Sequence, residues 1–191
     1  MSPDRFGARA EAGPGRPRVV LVGAMGAGKT TVGELLAKRW GTELRDTDRD
    51  IEDAQGRTIS EIFVDDGEAR FRELERAAVE EALHSHSGVL ALGGGAVMDP
   101  KTREALVGQR VVFLHVGLAD AVRRVGLGTA RPLLLGNVRA QVKALLDQRL
   151  PVYRSVATVT VSTDGKPPKA VADEVGRAVE DAEAGDGERD G

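Results

Sequence analysis

The chain has 191 residues, of which 41% are hydrophobic and 30% charged, with a formal charge of −3 and no cysteine. At ~150 residues per domain this length gives one domain, and the composition excludes a wholly disordered chain. The missing cysteines exclude disulfides, thiolate catalysis and cysteine-ligated metal centres, and the slightly acidic balance offers no sequence-independent nucleic-acid surface. Residues 1–17 are rich in glycine, proline, alanine and arginine and lack the apolar stretch of a secretory leader, so they read as a solvated tail. Residues 19–22 form a short apolar run, followed by a glycine-rich turn and a helix over 29–40. Residues 43–48 are a less apolar strand candidate. Thr58 and Glu61 make a capping box ahead of Ile62 and Phe63, which marks a helix start. A longer helix over 67–86 carries Phe71, Leu74, Val79 and Leu83 on one half of its surface. A strand over 89–92 ends in Gly93-Gly94-Gly95, and Asp99-Pro100 caps the next helix.

The remaining elements are a strand over 110–116, a helix over 118–125, the Gly/Arg/Pro segment 126–136, a helix over 138–149 stopping at Pro151, a strand over 158–162 and a helix over 168–181. Residues 182–191 read as an acidic, disordered tail. Five strands separated by helices predict a three-layer α/β fold with a parallel sheet covered on both faces. The apolar runs are strand-sized, so no membrane span is expected, and a cytoplasmic monomer is the expected form.

The turn after the first strand reads Gly23-Ala24-Met25-Gly26-Ala27-Gly28-Lys29-Thr30, matching G-x-x-x-x-G-K-[ST] in its required context of strand before and helix after. In such a loop the backbone N–H groups converge on phosphate oxygens and the helix points its positive end at them. Lys29 then reaches the β- and γ-phosphates and the Thr30 hydroxyl ligates Mg²⁺. The motif alone does not distinguish GTPases, ATPases, small-molecule kinases and nucleotide sensors. Neither later apolar strand ends in an acid. The available carboxylates are Asp46 and Asp48, which strand alternation places on one face about 6–7 Å apart. One near the metal and one near an incoming hydroxyl suit phosphoryl transfer; a solvated polar loop is the plainer alternative.

Glu68, Arg72 and Glu75 follow at i, i+4 and i+7, so the acids could hold the guanidinium, or the three could form a salt-bridged solvent face. Arg131 lies in the glycine-containing segment 126–136, suited to a mobile lid that brings a cation onto the transferring phosphate. Arg149 closes a helix, as a dipole-complementing cap or a substrate clamp. The triple glycine permits close approach of a ligand, or is a plain turn. His84, His86 and His115 carry no assigned role.

In combination these motifs resemble the shikimate kinase family from about residue 18 to 180. The features are the loop 23–31 with Gly33, Asp46-Thr47-Asp48, Asp66-Gly67-Glu68 with Phe71, Arg72 and Glu75, Gly93–Val97, Arg131-Pro132-Leu133-Leu134, and Arg149 with Pro151 and Tyr153. The resemblance implies a nucleoside-monophosphate-kinase-like fold with a lid at about 126–136 and a kinase domain over 18–181. It implies ATP-dependent phosphorylation of the 3-hydroxyl of shikimate, with Mg²⁺, on the way to chorismate. By it, Gly26, Ala27, Gly28, Lys29, Thr30, Thr31, Arg131 and Lys166 bind ATP, with Arg124 and Pro168 flanking the adenine. Lys166 stands where the family often has arginine. Asp48, Arg72, Gly94 and Arg149 bind shikimate; Lys29, Asp48 and Arg131 act in catalysis; Asp46 supports the metal through water; Phe63 and Phe71 wall the ring. Another P-loop small-molecule kinase, of gluconate or nucleoside monophosphate type, fits the arginines and Asp48 on chemistry alone. A regulator that had lost catalysis should lack the acids or the lid arginine, and none is missing.

Overall fold

The computed structural model describes residues 15–126 and 135–187. Five strands, β1 (Val19–Val22), β2 (Leu44–Asp46), β3 (Val89–Ala91), β4 (Val111–His115) and β5 (Val159–Ser162), form one sheet in the order β2-β3-β1-β4-β5. All four pairings are parallel. The described helices are α1 (Lys29–Trp40), α2 (Thr47–Gln55), α3 (Ile59–Asp65), α4 (Gly67–Ser85), α5 (Pro100–Ala105), α6 (Leu118–Gly126), α7 (Leu135–Val156) and α8 (Pro168–Gly187).

Strands β1 and β3 are unbroken apolar runs because both of their faces are covered, and every residue in them is buried. The connection from β1 to β2 steps one way along the sheet, whereas those into β3, β4 and β5 step the other way. Right-handed crossovers then put α1 on one face and α4, α5 and α7 on the other. Helix α8 packs against α1. The chain leaves the neighbouring strands β1 and β3 toward opposite faces, which opens a crevice at their carboxyl ends, the place where open α/β sheets bind ligands. Both glycine-rich segments lie there. A second, smaller core of Ile51, Ile62 and Phe71, with Phe63 and Leu74 packed on it, joins α2, α3 and α4 beside the crevice.

Three expectations need correction. The strand expected over 43–48 ends at Asp46, and the charged run after it is helical rather than extended. Asp46 is the N-cap, its carboxylate accepting the Asp48 N–H at 3.1 Å, and Asp48 and Asp50 lie in the first turn, where acids complement the helix dipole. Asp46 and Asp48 therefore do not alternate along one strand. The helix expected to stop at Pro151 runs through it to Val156. Proline costs that helix one backbone bond, but Leu146, Leu150 and Val152 pack on the main core and Tyr153 is 1% exposed, so burial holds the last turn. The final helix passes the expected boundary at 181, and Glu183, placed in the expected tail, accepts two bonds from Arg18 at 2.7 and 3.0 Å. Arg16, also assigned to a tail, donates to the Gln109 side chain and to the Gly108 carbonyl.

Candidate active site

The P-loop runs from the end of β1 into α1. Gly23 has φ 150° and a Cβ there would lie 2.6 Å from the Leu114 carbonyl oxygen, so the loop can turn beneath β4 only with glycine. Gly28 caps α1 at φ 89° with no side-chain bond, leaving the first N–H groups of the helix open to an anion. Ala27 is buried in the loop and Thr31 is exposed on the first turn of α1. Lys29 folds back over the loop, its Nζ donating to the carbonyls of Gly23 at 2.8 Å and Ala24 at 3.2 Å. Burial lowers the Lys29 pKa, against the pull of the Asp48 and Asp46 carboxylates, while the Arg149 charge adds to the lowering.

Thr30 Oγ1 donates to Asp46 Oδ2 at 2.9 Å, so the residue expected to ligate metal directly and the one expected to support it are already in contact. Asp48 lies between the P-loop and the triple glycine. Its carboxyl is pushed up to about 6, by burial first and then by the Asp46 and Glu75 charges, with Lys29 pulling the other way. Among the described residues no cluster of three or more His, Asp or Glu could hold a metal on its own.

Arg72 reaches in from α4. Its guanidinium donates to Glu75 at 2.6 Å and to Glu68 at 3.3 Å, and lies 5.3 and 5.9 Å from the Phe71 and Phe63 ring centroids. The two rings lie tilted at 36° to each other with centroids 4.6 Å apart. Glu75 is 3% exposed, so this is not a salt-bridged solvent face. Burial pushes the Glu75 carboxyl up and the Arg72 contact draws it back. Arg149 arrives from α7 and donates to the Gly94 carbonyl at 3.1 Å. A Cβ on Gly93 would meet Asp48 Oδ1 at 2.5 Å and Glu75 Oε1 at 2.8 Å, and one on Gly95 would strike the Arg72 guanidinium. The triple glycine is thus the floor on which Asp48, Glu75, Arg72 and Arg149 converge, and the absence of side chains is what lets them meet.

Not every expected residue joins this cluster. Lys166, after β5, pairs with Glu174 at 2.6 Å. Arg124 donates to the Gly26 carbonyl at 3.0 Å and to the Thr163 carbonyl at 3.0 Å, which ties the P-loop to the β5 end. Arg131 and most of the expected lid lie outside the described residues. Two residues quoted within the motifs but given no role of their own also contribute. Thr47, fully buried, accepts the Gly93 N–H at 3.1 Å, and the Tyr153 hydroxyl donates to the Gly94 carbonyl at 2.5 Å. The i, i+4 spacing of Arg149 and Tyr153 was the available signal for the second; the first lay inside the Asp46-Thr47-Asp48 motif, with no spacing to tell its partner.

A phosphate cradle at the end of β1, acids entering from the end of β2 and a cationic pair over the next strand end make this a P-loop phosphotransferase. The sequence model of shikimate kinase matches residues 25–180. A shikimate kinase of Thermobifida fusca is 60% identical over 158 residues, 83% of this chain and 92% of that relative. One from Salinispora tropica is 63% identical over 159 residues, 83% of this chain and 95% of its own. The solved shikimate kinase from Acinetobacter baumannii, in complex with shikimate, superposes with a TM-score of 0.80 at 36% identity, covering 87% of this chain and 93% of that one. The chain belongs to the shikimate kinase family. A gluconokinase from Sinorhizobium meliloti, at TM-score 0.54 and 20% identity, shares the fold alone.

Proposed function

We propose that the protein transfers the γ-phosphoryl group of ATP to the 3-hydroxyl of shikimate, giving shikimate 3-phosphate and ADP, a step toward chorismate and the aromatic amino acids. The observation that carries this reading is the convergence on one glycine floor of two arginines and a carboxylate beside a P-loop. Planar guanidinium forks suit a carboxylate, which only an acidic acceptor possesses. Arg72 and Arg149 bind that carboxylate, the Phe63–Phe71 pair lies against the ring, and Gly94 contributes backbone. Asp48 receives the hydroxyl, orienting the oxygen or taking its proton; a carboxyl pushed up to about 6 is a better proton acceptor than an ordinary aspartate while still ionised at neutral pH. On the nucleotide side the N–H groups of residues 26–31 hold the phosphates and Lys29 places its charge between β and γ. Arg131, Arg124, Pro168 and Lys166 complete the ATP site; for Arg131 the support is its motif alone.

Mg²⁺ fits the donors present. It prefers oxygen, keeps several waters and is commonly held by few protein groups plus substrate phosphates, and the Thr30 hydroxyl with the Asp46 carboxylate behind it is such a set. When bound it neutralises charge on the transferring phosphates. The proposed enzyme acts as a cytoplasmic monomer on two small molecules, with no membrane or nucleic-acid partner; no described helix is long and apolar enough to cross a membrane. An ADP-release assay offering shikimate, gluconate and AMP in parallel tests the reading: turnover confined to shikimate is expected, and preferential turnover of gluconate or AMP overturns it.

A further inference from the structure

Tyr153 is the sole tyrosine of the chain and one of its most buried large side chains. It sits one turn after Arg149 on α7, and both residues donate to a single acceptor, the Gly94 carbonyl, the phenol at 2.5 Å and the guanidinium at 3.1 Å. The ring stacks on Phe113 of β4 at a centroid distance of 5.0 Å. A cavity of about 190 Å³ whose lining includes Ala24 of the P-loop, Phe113, Leu146, Lys143 and Asp147 reaches the edge of the Phe113–Tyr153 pair, while Tyr153 itself stays 1% exposed. Stacking fixes the plane of the ring, and the hydroxyl bond to Gly94 fixes where in that plane it sits.

Gly94 is itself a junction. The position its Cβ would take is 3.5 Å from the Met25 N of the P-loop and 3.6 Å from the Arg149 guanidinium. The Gly94 peptide therefore lies where the acceptor floor adjoins the phosphate cradle. When the Arg149 guanidinium turns toward a substrate carboxylate, a second donor is what keeps that peptide in place.

We propose that Tyr153 is a positioning residue for the acceptor site: its hydroxyl holds the Gly94 carbonyl, so that the floor keeps its shape when the Arg149 guanidinium engages a substrate carboxylate. The proposal rests on the reading of Arg149 as a carboxylate-binding group. It places the effect on acceptor binding, because the nucleotide phosphates meet residues 26–31 and not the Gly94 carbonyl. Burial raises the Tyr153 pKa above its ordinary value, which keeps the phenol protonated and a donor across the working range.

Tyr153→Phe keeps the ring and removes the bond. The expected result is a shikimate KM raised about fivefold to tenfold, the effect of losing one buried hydrogen bond to a substrate-bearing element, with kcat lowered less and the ATP KM unchanged. An unchanged shikimate KM, or equal rises for both substrates, overturns the proposal. A second measurement does not depend on the variant folding. Growth on 3-fluorotyrosine labels Tyr153 alone, and its ¹⁹F resonance should move when shikimate is added to the otherwise native protein, as Arg149 leaves the shared carbonyl; a resonance unmoved by saturating shikimate overturns the proposal. A native enzyme inert toward shikimate overturns the reading of function and this inference with it, whereas an active one whose Tyr153→Phe form binds shikimate normally overturns this inference alone.

Discussion

Asp48→Asn should stabilise the ligand-free protein while disabling it. The carboxyl is half-buried between Asp46, Glu75 and Lys29, and its pKa stands at about 6 against an ordinary 3.8. That difference corresponds to about 3 kcal/mol, at 1.36 kcal/mol per pH unit, and is a ceiling because neighbouring acids share the burden. Because the folded protein holds this proton more tightly than the unfolded chain, no penalty exists below about pH 4. It grows as pH rises from 4 to 6, where the unfolded chain is ionised and the folded one is still protonated, and is full above 6. The asparagine cannot ionise and escapes it. Urea denaturation should therefore find Asp48→Asn more stable than the native protein by about 1–3 kcal/mol at pH 8 and by about half that at pH 5. In the role proposed for Asp48 the same charge receives the acceptor hydroxyl, so kcat/KM of the native enzyme should fall below pH 6, and the variant should lose about 10²-fold or more at every pH. A stability gap equal at pH 5 and pH 8, or a variant less stable than the native protein at pH 8, refutes the account of this carboxyl.

Lys29→Ala removes the buried charge over the P-loop and should abolish phosphoryl transfer while circular dichroism shows the fold intact; near-normal turnover would refute the phosphate cradle. Arg72→Lys and Arg149→Lys retain charge but lose the planar fork, and each should weaken shikimate binding by part of the about 1.5–3 kcal/mol that a charge-assisted contact carries, read by calorimetric titration. Unchanged affinity would leave Arg72 as a structural ion-pair partner of Glu75 and Arg149 as a donor to the Gly94 carbonyl. Gly93→Ala would drive a methyl to 2.5 Å from Asp48 Oδ1 and 2.8 Å from Glu75 Oε1. It should cut kcat more than about tenfold at a stability cost of about 1–3 kcal/mol, and wild-type kinetics would show that the floor tolerates a side chain.

The parallel sheet was legible because strands such as Val19–Val22 and Val89–Ala91 are buried on both faces and so carry apolar residues at consecutive positions. Thr58 and Asp99 announced their helices by side chains that do cap them. What failed was local chemistry overridden by context. Asp46-Thr47-Asp48 looks like a strand end or loop until the caps are seen to start a helix whose Ile51 enters the second core. Pro151 looks like a terminator until Tyr153, two residues on, proves to be buried. At the site, the P-loop could be read from spacing alone, since its strand, turn and helix are contiguous. The depth of Glu75 and the seat of Thr47 against Gly93 could not, because they depend on how α2, α4 and the end of β3 pack, which no local pattern encodes.

In the proposed reaction these groups pass the γ-phosphoryl of ATP to one particular hydroxyl of a carboxylate-bearing ring. Phosphorus NMR of the product formed from shikimate, ATP and Mg²⁺ identifies that hydroxyl. A single new monophosphate ester whose phosphorus couples to the proton on carbon 3 is the predicted result; coupling to another ring proton, or release of inorganic phosphate without an ester, would contradict it.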